Sequence, residues 1–250
     1  MIDLKTDQEI AVMAEGGKRL REVVKVLLNK IDAGMTTKQI DQLAEALIKK
    51  QGGESSFKRV KNYHWTTCLP INEQVVHTPP SNRQLKKGDV FTLDIGMFFG
   101  GYHTDYATSF VVGGKSDAET SRFLEAGKRA LNKAIKQAKA GNRLGNISET
   151  IEKEIRSEGF FIMKDLTGHG IGKELHMDPY VFGFKERPTE KTLLIKPGLT
   201  IAIEVIYSKG TEEIAYEGDD DWSIISADHS LTACFEHTVA IKEKETLVLT

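Results

Sequence analysis

The 250-residue chain has only two cysteines, Cys68 and Cys234, too few for a disulfide framework, which excludes the small stapled domains of the secretory pathway. No apolar run approaches the roughly 20 residues of a membrane-spanning helix, and the opening MIDLKTDQEI is too charged for a signal peptide. A dominant charge is missing as well. The 34 Lys and Arg against 36 Asp and Glu leave a net charge of −2, mixed along the chain, so nothing points to a nucleic-acid or membrane surface as the main partner. With 40% hydrophobic residues the chain has enough apolar material for one large domain or two small ones. A reduced, cytoplasmic setting fits best.

What the chain does have is a concentrated stretch at 94–105, DIGMFFGGYHTD, with an aspartate at each end. Asp94 closes the run Val90, Phe91, Thr92, Leu93, whose composition suits a strand. Gly100-Gly101 signals a hairpin, and a return over Tyr102 to Thr108 aims Asp94 and Asp105 at one face. Two carboxylates about 4 Å apart at an effective dielectric of about 20 repel by roughly 4 kcal/mol, so such a pair shares a proton or holds a cation. Taken alone, the stretch equally admits two unrelated aspartates, one in a turn and one a cap.

The flanking sequence is helical first. Residues 7–30 carry Ile10, Met13, Leu20, Val23, Val24 and Leu27 at helical spacing, with Asp7 the expected N-cap. Ala33-Gly34 breaks that helix, and Thr36 or Thr37 caps a second one, which stops at Gly52-Gly53. Residues 54–78 read as strand and loop. The same order then begins again: Glu15-Gly16-Gly17-Lys18-Arg19 is echoed by Glu125-Ala126-Gly127-Lys128-Arg129, Gly34 by Gly141, Gly52 by Gly159, and KKGDVFTLDI by KPGLTIAIEV. The offsets stay between 107 and 110 residues. Such a duplication predicts two αβ halves related by a pseudo-twofold axis, about 10–112 and 120–250, in a single catalytic domain spanning 1–250, with Asp94 facing Glu204 near the axis.

Further chemistry follows in the second half. In TGHGIGKELH the glycines 168, 170 and 172 disfavour a helix, leaving His169 and His176 on backbone that can approach a ligand closely. LTACFEHTVAI predicts a strand burying Glu236 or its neighbours, and His77 in VVHTPP ends an apolar strand before a proline turn. Each residue alone has a structural explanation. Asp94, Asp105, Glu204 and Glu236 together bring a charge of −4 that nothing basic in these motifs offsets, and two divalent ions balance it. Carboxylate and imidazole ligands suit Mn, Fe, Co or Zn rather than a thiolate-bound structural zinc. Paired metals lower the pKa of a bridging water and polarise a carbonyl, so the set points to metal-assisted hydrolysis.

This ordered set resembles type I methionine aminopeptidase, from about Ile2 to the C-terminus. It comprises an Asp, a second Asp eleven residues on, GHGIG with a second His seven after the first, an acid in a strand, and FEHT near the end. The resemblance implies the pita-bread α/β (α+β) fold, with a curved antiparallel sheet and the metal site at its centre. It implies a dinuclear site of Asp94, Asp105, His169, Glu204 and Glu236, in which Asp105 and Glu236 bridge, Asp94 holds one ion, and His169 and Glu204 hold the other. His176 would hydrogen-bond the scissile carbonyl, His77 would lie near the scissile amide nitrogen, and Glu204 would shuttle the proton of the metal-bridging hydroxide. Phe57, Val60, Tyr63, Cys68, Leu175 and Trp222 would line a methionine pocket.

Several positions depart from the pattern of that family. Thr78 replaces a glycine beside His77, Asn62-Tyr63-His64 stands where a glycine, an aromatic and a proline are usual, and Lys61 takes a place often held by His. Val205 follows the strand acid in place of proline, and Cys234 replaces the usual Gln. None removes a metal ligand. Thr78 and Cys234 touch the surroundings of the site, Cys234 is expected to be a buried, inert thiol, His64 and Trp65 either shape the pocket mouth or form a surface loop, and GDDDW at 218–222 is expected to be a solvated turn with Trp222 reaching inward.

The expected activity is removal of the initiator methionine from nascent polypeptides at the ribosome, when the second residue is small, by a cytoplasmic monomer with no membrane partner and no direct nucleic-acid site. Two other readings compete: an X-Pro aminopeptidase or dipeptidase of the same fold, and a non-catalytic binding module that kept the fold. The chain's own second residue, Ile2, is too bulky for such an enzyme, so intact-mass spectrometry of the purified protein should find Met1 retained. Its quantitative loss would contradict the expected preference for a small second residue.

Overall fold

The computed structural model describes residues 2–218 and 222–250. Helix α1 (Asp7–Lys30) is capped by Thr6, not by Asp7. The Thr6 hydroxyl accepts from the Glu9 N–H while the Glu9 carboxylate accepts from the Thr6 N–H, a reciprocal box that needs a Glu or Gln three residues after the cap. Asp7 sits in the first turn, where its charge suits the helix dipole. Helix α2 (Thr37–Lys50) starts the same way from Thr36 and Gln39. Thr37 is thereby left to bond the Ser81 backbone, its hydroxyl accepting from N–H at 2.8 Å and donating to C=O at 3.1 Å.

Strands β1 (Glu54–Ser55), β2 (Thr67–Cys68) and β3 (Gln74–Val76) precede the long hairpin of β4 (Val90–Phe99) and β5 (Tyr102–Val111). Helices α3 (Ala118–Ile135) and α4 (Leu144–Ser157) follow, then β6 (Phe161–Ile162), β7 (Thr167–Gly170), β8 (Met177–Phe182), β9 (Thr200–Ser208), β10 (Ile214–Tyr216), β11 (Ile224–Ser226), β12 (Thr232–Ile241) and β13 (Thr246–Val248). A ten-stranded antiparallel sheet runs in the order β1-β4-β5-β12-β9-β7-β8, with β2 beside β4, β6 beside β9 and β13 beside β12, and β10-β11-β3 form a separate three-stranded sheet. Among the described residues, no helix is long and apolar enough to cross a membrane.

Strand periodicity decides which face is which. Phe91, Leu93, Ile95 and Met97 of β4 pack with Leu20, Val24, Leu27 and Ile40 of α1 and α2. Ile201, Ile203, Val205 and Tyr207 of β9, with Ala233 and Phe235 of β12, pack with Phe123, Leu131, Ile147 and Ile151 of α3 and α4. The helices therefore take the odd-numbered residues of these strands, and Asp94, Glu204 and Glu236 point to the opposite face. The two halves of the chain repeat small contacts as well as elements. Gly34 N–H bonds the Leu85 C=O at 2.8 Å and Gly141 N–H bonds the Ile195 C=O at 3.1 Å. Both glycines have φ near +90° (91° and 88°), a left-handed backbone that a Cβ would strain. The isolated bridge Thr36–Gln84 has a counterpart in Arg143–Leu194.

The halves meet where β5 lies against β12. Only Ala107–Glu236 and Tyr106–His237 are in register there. On either side a hydroxyl stands in for the ladder: Thr238 Oγ1 accepts from Asp105 N–H at 2.8 Å and donates to Asp105 C=O at 2.9 Å, and Ser109 Oγ accepts from Cys234 N–H at 2.9 Å and donates to Cys234 C=O at 3.0 Å. All four backbone groups belong to buried residues. Thr238→Val keeps the shape but leaves the N–H and C=O of Asp105 without partners, at roughly 1–3 kcal/mol for each buried group. Its urea-unfolding midpoint should fall clearly, with Thr238→Ser recovering most of the loss. Equal midpoints for the Val variant and the parent would mean that the hydroxyl does not hold the seam.

Candidate metal centre and its cavity

The register alone lines up the acids. Asp94 of β4 is opposite Ala107 of β5, Ala107 is opposite Glu236 of β12, and Glu236 is opposite Glu204 of β9. Asp105 lies two residues from Ala107 on β5, and His169 of β7 pairs with Ala202, two residues before Glu204, so both share the face of that row. Asp94 and Glu204 therefore stand at opposite ends of the row with β5 and β12 between them. The hydroxyl clasps repeat at an offset of 129 residues, Ser109 to Thr238 and Asp105 to Cys234. By the same offset Ala107 matches Glu236. The two seam strands thus carry their acids at non-equivalent places, Asp105 on one and Glu236 on the other. The offset exceeds 110 because β10 and β11 lie between β9 and β12.

Ligand atoms of Asp105, His169 and Glu236 lie within 4.8 Å of one another, and His169 Nε2 is 3.5 Å from Glu204 Oε1. His169 Nδ1 is 2.9 Å from the Gly170 carbonyl. That contact places the proton on Nδ1 and turns the Nε2 lone pair toward the carboxylates. Burial holds the imidazole neutral, its pKa lowered to about 3, with His176 adding to the effect. Burial also raises the carboxyls. Asp105 is pushed up to about 7, and Asp94, Glu204 and Glu236 rise by desolvation first and mutual repulsion second. No Lys or Arg among the described residues forms an ion pair with these four acids, and buried Glu236 Oε1 has no hydrogen-bond partner. Four oxygen donors, one aimed imidazole and an orphaned carboxylate oxygen fit divalent metal.

A cavity of about 450 Å³ opens over the row, and all thirteen residues singled out from the sequence line it: the five candidate ligands, His77, His176, Phe57, Val60, Tyr63, Cys68, Leu175 and Trp222. One wall is an aromatic slot in which Tyr63 meets Trp222 edge-on at 5.0 Å and Phe57 at 6.2 Å. His169 and His176 are in edge contact at 4.5 Å. His77 follows β3 with φ at +59°, a strained setting for a non-glycine residue. His77 and His176 both open to the cavity solvent, and their concave surroundings lower both imidazoles below the ordinary value. A second cavity of about 430 Å³, between α1, Tyr106 and His237 on the helix side, gathers no Asp or Glu side chain.

Val76, Asp165, Leu166, Thr167, Tyr180 and Ile206 also line the cavity and were not foreseen. Ile206 was within reach of a period-two reading, being two residues after Glu204; Val76, directly before His77, was not, and Tyr180 arrives only through the pairing of β8 with β7. Of the departing positions, Cys234 is buried and its thiol is pushed up by desolvation. Val205 packs in the core under the helices, and the Thr78 hydroxyl is buried without a partner. Trp65 packs on Tyr63 at 5.2 Å, and neither it nor His64 lines the cavity. Residues 219–221 of the expected GDDDW turn lie outside the described residues.

This sheet, cavity and acid row are those of a metallopeptidase: the pattern of metallopeptidase family M24 matches residues 11–243, and the chain belongs to that family. It is 37% identical to the methionine aminopeptidase 1 of Bacillus subtilis over 250 residues, covering 100% of this chain and 99% of the relative. The crystal structure of the methionine aminopeptidase from Thermotoga maritima matches with a TM-score of 0.95 at 33% identity, covering 100% and 99%. The prolidase from Pyrococcus furiosus shares the fold, with a TM-score of 0.77 at 21% identity, but the match covers 99% of this chain and 65% of that one. The architecture is the pita-bread fold, and family membership implies use of divalent metal.

The raised carboxyls give the metal-free protein a defined pH response. Their folded pKa values exceed the unfolded ones, so between about 4 and about 7 the folded state holds more protons, and its stability falls as pH rises through that window. Metal bound at the row would remove those protons and with them the slope. The gain in Tm on adding Mn²⁺ to metal-free protein should therefore grow from about pH 5 to about pH 7.5. A gain that does not change with pH would mean that metal does not bind at the acid row.

Proposed function

We propose that the protein is a methionine aminopeptidase that removes the initiator methionine from nascent polypeptides when the second residue is small. The observation that carries this reading is the juxtaposition of the acid row with an aromatic slot in one cavity. Such a slot suits an unbranched thioether side chain. Asp94, Asp105, His169, Glu204 and Glu236 would together hold two divalent ions, with Mn, Fe, Co or Zn all compatible with the donors. The ions supply Lewis acidity and a water acidic enough to ionise near neutral pH.

The remaining steps belong to side chains. Glu204 takes the proton of the attacking water and returns it to the leaving amine. His176, neutral in its lowered state, donates an N–H to the scissile carbonyl and to the oxyanion that follows. His77 lies at the leaving-group side and assists protonation of the amide nitrogen. Phe57, Val60, Tyr63, Cys68, Leu175 and Trp222 hold the methionine side chain. The chain acts as one catalytic domain, 1–250, whose halves at about 10–112 and 120–250 each contribute ligands. We place it as a monomer in the cytoplasm, working on chain ends as they leave the ribosome.

An X-Pro peptidase and a non-catalytic module are the readings to be separated. Against the first stands the 37% identity over 250 residues to the methionine aminopeptidase 1 of Bacillus subtilis, beside 21% to the prolidase; against the second stands the uncompensated acid row. Metal-stripped protein reloaded with Mn²⁺, Fe²⁺, Co²⁺ or Zn²⁺ should release methionine from Met-Ala-Ser and leave Ala-Pro-Ala intact. His176→Ala should lower kcat by roughly 10²–10³-fold, the usual cost of one oxyanion donor. Cleavage of the proline peptide alone would move the protein to the X-Pro class, and no cleavage with any of the four metals would favour a binding role.

A further inference from the structure

Asp41 is a buried carboxylate on α2, 7% exposed, that does not line the cavity and whose nearest charge effect comes from Lys58 at long range. Its Oδ1 accepts three hydrogen bonds from one short segment: Thr66 N–H at 2.8 Å, Thr67 N–H at 2.9 Å and the Thr67 hydroxyl at 2.8 Å. The Thr67 carbonyl in turn accepts the Tyr63 hydroxyl at 2.8 Å, and the same hydroxyl lies 3.1 Å from Cys68 Sγ. Cys68 sits opposite Asp94 in the register of β2 against β4. An unbroken series of contacts therefore runs from the helix to the centre of the aromatic slot and to the edge of the acid row.

The local structure explains why such an anchor is needed. β2 is only two residues long, and the loop before it passes through Asn62 with φ at +66°, so few ladder bonds fix the segment that carries Tyr63 and Cys68. Tyr63 is the hub of the slot, in edge contact with Phe57, Trp65 and Trp222. A charged acceptor taking three bonds at once is stronger than neutral pairs and gives the segment one position.

We infer that Asp41 is a positioning residue for recognition of the first side chain, setting the depth and shape of the slot through Thr67, Tyr63 and Cys68. The inference rests on the aminopeptidase reading of the cavity. Its readout is the ratio of kcat/KM for Met-Ala-Ser to that for Leu-Ala-Ser, which does not depend on how much of a preparation is folded. Because a displacement of about 1 Å near a site can cost up to 10²-fold, Asp41→Ala should lower this ratio about tenfold or more. Thr67→Val, which removes one bond of the three, should lower it about threefold, and Asp41→Asn, which keeps the acceptor oxygen, should stay within about twofold of the parent.

A ratio unchanged in Asp41→Ala, or in Thr67→Val should the alanine variant not fold, would overturn the inference and leave Asp41 a purely structural anchor. Absence of methionine release by the parent protein would instead overturn the aminopeptidase reading. The inference is then read directly, by titrating Mn²⁺-loaded protein with L-methionine and following tryptophan fluorescence, since Trp222 lines the slot. About tenfold weaker binding by Asp41→Ala supports it; equal binding, or no binding to the parent, overturns it.

Discussion

Four carboxylates held on one face of a sheet with no basic partner are the constraint on which the rest of the molecule turns. Their mutual repulsion and the desolvation of each oppose folding, so the scaffold around them has to be stiff. The long pairing of β9 with β12, in register over nine residue pairs, and the fully paired β4–β5 hairpin supply that stiffness. Two helix layers clamp the opposite face through the odd-numbered residues. A cation bound there would relieve the repulsion and supply the proposed chemistry, so the source of instability and the source of chemistry would coincide.

The sheet serves the site by arithmetic. Antiparallel register carries Asp94, Glu236 and Glu204 to the same level, and alternation of side chains sends them all away from the helices. A one-residue slip of β12 against β9 would turn Glu236 toward Phe123 and Tyr207. Shape is added by loops of low regularity, the His77 turn, the Tyr63 segment and the stretch through His176, which bring imidazoles and aromatic rings to the rim of a rigid floor.

Much of this was legible in the chain. The hairpin around Gly100-Gly101, the α1 and α2 boundaries and the repeated order of elements follow from glycine placement and hydrophobic period, which are local signals. The site residues were legible because the acids end or interrupt apolar strand patterns and the histidines flank glycines. Cap choice was not: Asp7 and Thr6 are both good caps, and only the acid at position 9 decides between them. Nor were Tyr180, the β5–β12 clasps or the tie from Asp41 to Thr67, each of which joins segments distant in sequence through single hydrogen bonds or edge pairings that leave no periodic trace.

The seam between β5 and β12 gives the protein an unusual division of labour. Asp94 and Asp105 come from one side of it and His169, Glu204 and Glu236 from the other, while only two residue pairs and two hydroxyl clasps close the ladder between them. An ion held by ligands from both sides of that line would act as a rivet: whatever opened the seam would release it, and whatever removed it would loosen the seam. By mass action, occupancy of such a site would set how often the halves part, so free metal would act on the lifetime of the fold through the same residues that would hold it for chemistry.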